Sequence, residues 1–211
     1  MQSISQMPGV LVGHATRPEA GTGCTVLVFP EGAIGAVDVR GGAPATRETD
    51  LLRPEETVQQ VHAVVLSGGS AYGLAASCGV AEELERAGIG LDVGVGIVPI
   101  VTGACLFDLG VGRADVRPTA EDGAEATRTA LAGRDVPASS RTPLEQGNVG
   151  AGTGCSVGKL AGPERCMKAG LGESVLAAGP LVCGAVVAVN ALGDVVDPRT
   201  GEHIAGLLSE D

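Results

Sequence analysis

Residues 61–88 read VHAVVLSGGSAYGLAASCGVAEELERAG. The short, Val-rich run Val61–Leu66 predicts a buried strand, and Gly68 and Gly69 end it. From Ser70 onward the apolar residues recur at helical spacing. Leu74, Ala75, Cys78 and Ala81 fall on one face, Leu84 extends that face, and Gly88 stops the helix. Ser70 is placed to be its N-cap, while Gly73 and Gly79 each weaken it by about 1 kcal/mol relative to Ala.

Outward from this unit, short apolar runs bounded by Gly and Pro predict further strands. Gly9–Gly13, Thr25–Phe29 and Ala33–Val39 precede it, and Gly96–Val101 and Leu181–Val189 follow, all read as buried; Ser174–Ala178 is a weaker instance. A second helix is predicted from Thr119 to Leu131. Thr119 caps it, acids crowd its first turn, and Gly133 follows as the stop. Arg134–Gln146 is polar and contains Pro, which predicts a surface loop or short arm. Strands arrive in pairs before helices do, so the pattern favours an α+β fold over a regular α/β wind. A length of 211 residues argues for one domain, 1–211.

Composition narrows the function classes. Lys and Arg number 14 against 25 Asp and Glu, a formal charge of −11, which disfavours a partner gripped through its phosphates. Nucleic acid is therefore not an expected partner. With 44% hydrophobic and 18% charged residues, intrinsic disorder is equally disfavoured. The chain holds 34 Gly but only two Phe, one Tyr and no Trp, so its core must be built from Ala, Val, Leu and Ile. The opening MQSISQMPGVLVG lacks the features of a signal peptide, and the longest apolar stretch, Leu181–Leu192, is too short to span a bilayer. No membrane association is expected. The six cysteines form no CxxC pair and the three histidines lie far from them, so zinc-site spacing is absent. The cysteines read as small core residues in a reducing, cytoplasmic compartment, and no metal is expected.

The densest motif is GNVGAGTGCSVGKL, Gly147–Leu160. It fails as a phosphate loop, because Thr153 stands where the first Gly belongs and Leu160 follows Lys159. It fails as a dinucleotide fingerprint because Cys155 replaces the third Gly. Gly154–Gly158 does match G-x-S-x-G, with Asp194 or Asp197 and then His203 following, the order of a serine esterase using Ser156. Against that reading, Gly162 and Pro163 forbid the helix that should follow. Lys159 either carries its ammonium out to solvent or, buried near a hydroxyl nucleophile, positions and polarises it. Asn190, closing the run VCGAVVAVN, is either a turn residue or an amide donor suited to an oxyanion hole. Gly68, Gly69 and Ser70 either let a turn close or offer free amides to an anion. His14 and His62 read as ordinary strand-edge residues.

Taken together, PGVLVGHAT, GTGCTVLVFPEG, AVDVRGGAP, VVLSGGSAYGLAAS, GNVGAGTGCSVGKL and VVAVN resemble the L-aminopeptidase/D-esterase (DmpA) family, nearest its nylon oligomer hydrolase branch. The resemblance runs over nearly the whole chain in consistent order. It implies an αββα sandwich similar to N-terminal-nucleophile hydrolases, and a precursor that cuts itself once into a larger α and a smaller β fragment. The chain resembles the α fragment. The β fragment, whose new N-terminal Ser or Thr is the nucleophile, is the expected partner.

By motif, Lys159 matches the family lysine and Asn190 the family asparagine, both lining the nucleophile. Phe107 stands where that branch places a Tyr, so the hydroxyl is lost from the substrate-binding side. The implied reaction is hydrolysis of an amide or peptide bond in a small substrate. The nucleophile's own α-amine acts as base, an acyl-enzyme is the intermediate, and no cofactor is required. An assembly of several αβ protomers is expected as well. Two other readings are a non-catalytic binding or scaffold protein of the same fold, and the Ser156 esterase.

Overall fold

The computed structural model describes residues 3–209. Its strands are β1 (Leu11–Arg17), β2 (Thr22–Ile34), β3 (Thr46–Arg47), β4 (Gln60–Ser67), β5 (Leu91–Asp92), β6 (Ile97–Val98) and β7 (Val101–Cys105), followed by β8 (Ser156–Val157), β9 (Met167–Lys168), β10 (Leu171–Ala178), β11 (Leu181–Ala188), β12 (Val195–Val196) and β13 (His203–Ala205). The α-helices are α1 (Ala76–Arg86) and α2 (Ala120–Leu131). A five-stranded sheet has the order β1-β2-β4-β7-β3, with β4 and β7 parallel and the other neighbours antiparallel. This is the α+β class expected. No helix of the described residues is long and apolar enough to cross a membrane.

Period-two alternation sends the two faces of the sheet into two cores. Leu11, Ala15, Cys24, Val26, Val28, Ala63 and Val65 face the helices, where Ala76, Val80, Leu84, Ala126 and Ala130 close the core. Leu27, Val64 and Leu66 point the other way, toward Ile4, Leu171, Val175 and Val186 on the β10–β11 hairpin side. The layers are therefore helices, sheet and hairpin.

The helix layer sits close because it is built on glycine. A Cβ on Gly79 would run into the carbonyl of Ala120, and one on Gly123 into that of Ala76. The two backbones thus approach within reach of each other, which compensates for the absence of large side chains. Thr119 caps α2 as expected, in a full capping box with Asp122. Asp122 also pairs with Arg17 of β1 at 2.6 Å, tying the helix start to the sheet edge.

Several expectations are corrected. Ser70 does not cap an α-helix. It stands at φ +55° after Gly69 at φ +83°, and residues Ser70–Ala75 form a 3-10 turn before α1 begins at Ala76. An N-cap has extended backbone, which that left-handed turn excludes. Ala33–Val39 is not a strand beyond Ile34, since β4 ends its pairing at Gln60 and offers nothing further along. Gly96–Val101 divides at Pro99 into β6, paired with β5, and β7, paired with β4. Gly9–Gly13 shifts forward to β1, because Gly9 turns at φ +79°. Leu181–Val189 does form β11, but it is mostly exposed rather than buried, having β10 as its one ladder partner. Arg134–Gln146 is no simple surface loop: Leu144 enters the core, and Arg141 donates to the carbonyls of Val10, Gly133 and Val136.

Candidate active site

Three segments converge beyond one end of the central strands. The first is Leu106–Asp108, which continues β7. The second is the Gly-rich segment, which turns through a 3-10 helix at Gly150–Gly152, forms β8, and enters another 3-10 turn at Lys159–Ala161. The third is Val189–Asn190, just past β11. Lys159 is fixed by its own backbone, whose N–H donates to Leu192 O at 2.8 Å, while Gly158, in the left-handed region at φ +69°, donates to Gly193 O. These contacts hold the turn carrying Lys159 against the chain that follows Asn190.

The side chains then lock together. Lys159 Nζ donates to Asn190 Oδ1 at 2.8 Å and to Asn190 O at 3.1 Å. Asn190 Oδ1 also accepts from the Ser156 N–H at 3.1 Å, and Asn190 Nδ2 donates to Phe107 O at 2.9 Å. Two donors on one side and an acceptor on the other fix which way the amide points. Each nitrogen keeps one hydrogen beyond these bonds, one on Asn190 Nδ2 and one on the ammonium. Burial pushes the Lys159 pKa below its ordinary value, with Cys155, Cys166 and Asp108 acting in the opposite sense. Lysine 168 is lowered by burial in the same way, and its Nζ donates to Cys155 O at 2.9 Å.

A cavity of about 280 Å³ opens here, lined by Phe107, Asp108, Val111, Ser156, Lys159 and Cys166 among others. The residues singled out from the sequence as Lys159, Asn190 and Phe107 are thus brought together, with the Phe107 ring 60% exposed. Sequence reasoning missed Asp108, which is 3% exposed. The signal was present, a lone carboxylate in the apolar run Ala104–Leu109.

Other candidates fall elsewhere. The Gly69 amide is not open to an anion, because it donates to Asp108 Oδ1 at 2.7 Å. Ser156 is buried on the two-residue β8 and is followed by a 3-10 turn, so the strand-to-helix elbow of a serine esterase is not formed. His203 instead lies beside Asp194 at 3.4 Å on the β12–β13 hairpin. His62 is not at a strand edge. It is buried on β4, inside the sheet, and its Nδ1 accepts the Ile100 N–H at 3.1 Å. His14 lies 2.9 Å from Thr25 Oγ1, which accepts the Ala151 N–H and so braces the Gly-rich turn. The cysteines are not uniformly core residues: Cys24 and Cys155 are buried, while Cys78 and Cys183 are exposed. Burial pushes the Cys24 thiol up to about 12.

This fold and this site define a class. The chain belongs to peptidase family S58, whose model matches residues 2–208. It is 46% identical over 213 residues to an uncharacterized aminopeptidase of Mycobacterium leprae, covering 95% of this chain and 56% of that protein. It is 33% identical over 200 residues to a 6-aminohexanoate-oligomer endohydrolase of Paenarthrobacter ureafaciens, covering 94% of this chain and 50% of that one. The chain therefore spans little more than half the length of these curated relatives. Among solved structures, the L-aminopeptidase D-Ala-esterase/amidase of Ochrobactrum anthropi, described as a variant of the Ntn-hydrolase fold, matches with a TM-score of 0.63 at 21% identity. The match covers 89% of this chain and 53% of that one, and it establishes the shared fold.

Proposed function

We propose that the protein to which this chain belongs hydrolyses amide bonds in small peptides or related amides. The observation that carries this reading is the Lys159–Asn190 pair, held by the Ser156 N–H and the Phe107 carbonyl, with Lys159, Ser156 and Phe107 all lining the cavity. The chain acts as the larger, α part of a precursor that cuts itself once. A smaller β part completes the layers and brings an N-terminal Ser or Thr hydroxyl to the cavity. Its α-amine takes the hydroxyl proton, and the oxygen attacks the substrate carbonyl. The free Asn190 N–H stabilises the developing oxyanion, and the remaining Lys159 hydrogen orients the attacking hydroxyl. On collapse the α-ammonium returns its proton to the leaving nitrogen, the C–N bond breaks to release the amine, and the acyl-enzyme left behind is hydrolysed by water.

Phe107 supplies an apolar wall and no hydroxyl, so the carbonyl oxygen relies on Asn190 more heavily than it would beside a Tyr. The six free thiols support a cytoplasmic setting, and the largely exposed β11 supports assembly with the β part and with further αβ protomers.

Intact mass spectrometry of the purified protein, with N-terminal sequencing of every band, tests the maturation. The expected result is a second, smaller chain beginning with Ser or Thr. A single uncut species that turns over neither a p-nitroanilide nor a 6-aminohexanoate oligomer would return the chain to a non-catalytic binding role.

A further inference from the structure

We propose that Asp108 is a positioning residue that aims the Asn190 amide, acting through the Phe107 carbonyl; this rests on the functional reading above. Asp108 is a buried carboxylate for which the proposed chemistry has no direct use, and burying a charge is costly unless donors meet it. Two do. Gly69 N–H donates to Oδ1 at 2.7 Å, and the Thr22 hydroxyl donates to Oδ2 at 2.7 Å. The space is made by glycines: a Cβ on Gly68 would run into Oδ2, and one on Gly154 into the Asp108 side chain. The carboxylate thus pins the chain at Asp108 to the start of β2 and to the turn after β4.

The peptide immediately before Asp108 carries the carbonyl that matters. Phe107 O is the acceptor for Asn190 Nδ2. Lys159 and Ser156 hold the Oδ1 side of the planar amide, and the Phe107 carbonyl holds the Nδ2 side, so together they set the plane in which the second Nδ2 hydrogen points. An oxyanion donor works only where its hydrogen meets the developing charge, and a small error in aim is expensive in rate. Releasing Asp108 should therefore cost turnover and spare substrate binding.

Three variants of the intact protein test this, each read by turnover and by the side-chain amide signal of Asn190 in ¹H–¹⁵N spectra of asparagine-labelled protein. In Asp108→Asn, the new amide donates to Thr22 Oγ1 while the retained oxygen accepts from Gly69, so geometry survives without charge. Turnover should stay within about threefold of wild type and the Asn190 signal should hardly move. Asp108→Ala should lower kcat by roughly tenfold or more with KM within about twofold, and shift the Asn190 signal. If Asp108→Ala does not fold, Thr22→Val decides. It keeps the shape and removes one donor, so a kcat lower by about threefold and a displaced Asn190 signal are expected. Wild-type kcat and an unmoved signal in the folded Ala variant, or in Thr22→Val, would overturn the proposal. So would an Asn variant as slow as the Ala variant, which would assign the effect to charge. If the wild type turns over no amide at all, the functional reading fails, and the Asn190 signal still judges the positioning.

Discussion

Lys159 reaches Asn190 twice, donating from one ammonium to the side-chain oxygen at 2.8 Å and to the backbone carbonyl at 3.1 Å. A single residue thereby fixes both the rotamer of the asparagine and the chain that carries it. No carboxylate of the described residues lies at hydrogen-bond distance from the ammonium, which keeps a hydrogen for a third partner.

Lys159→Met separates packing from chemistry. Methionine fills nearly the volume of the lysine stem, so the melting temperature should stay close to wild type. Loss of the donor should lower kcat by about 10²–10³ in an amide-hydrolysis assay. Unchanged turnover with an unchanged melt would remove Lys159 from the mechanism.

Gly79→Ala should destabilise the fold, although alanine is the better helix former by about 1 kcal/mol. The added methyl meets the Ala120 carbonyl and must push α2 away from α1. A net loss of about 1–3 kcal/mol is expected from urea denaturation. A raised midpoint would show that the helices have room to part at no cost.

Asp122 joins a helix start to a strand. Its carboxylate accepts from the Thr119 N–H at 2.7 Å and pairs with Arg17 at 2.6 Å. Asp122→Ala should cost about 2–3 kcal/mol, more than the roughly 1 kcal/mol of Thr119→Ala, because it also leaves Arg17 without that buried partner. Equal losses in the two variants would mean that only the cap matters.

His62 predicts a pH dependence of stability. Burial lowers its pKa, and a proton on Nδ1 would displace the Ile100 N–H. Between that lowered value and the ordinary imidazole value of about 6.5, the unfolded chain binds more protons than the folded one. Stability should therefore be flat above that range on this account and fall as the pH drops through it. Melting temperatures of His62→Gln, whose side chain can still accept from Ile100, should depend less on pH there. An identical profile would clear His62 of any share in acid destabilisation.

The parts of the fold legible in the sequence are those set by local chemistry. Val61–Leu66 reads as a strand because all but His62 are apolar and three are β-branched valines, and Thr119 reads as a cap because an acid follows three positions later. Asn190 and Lys159 stood out because a polar group interrupting an apolar run is conspicuous. Phe107 and their common location came from family resemblance, since residues 107, 159 and 190 meet only through tertiary folding. Asp108 is conspicuous as a lone carboxylate in an apolar run, but its role is not legible there for the same reason: its donors, Thr22 and Gly69, lie 86 and 39 positions away. The misplaced helix start and the overlong second strand have a different origin. A left-handed Ser70 and a strand without a partner beyond Gln60 are consequences of neighbours, which propensity does not contain.

The β10–β11 hairpin has a consequence for how the molecule comes apart. Leu176 and Leu181 are 73% and 61% exposed, and each strand has its hairpin mate as its ladder partner. Amides there should exchange with solvent well ahead of those in β4, which is flanked on both sides, because the hairpin's outer face and its turn end are exposed. Asn190 is the second residue beyond β11, so each such opening carries its amide out of register with Lys159 while the helix-backed sheet stays intact. In this chain by itself, warming should dismantle the site as a local event, several degrees before the sheet melts as a unit.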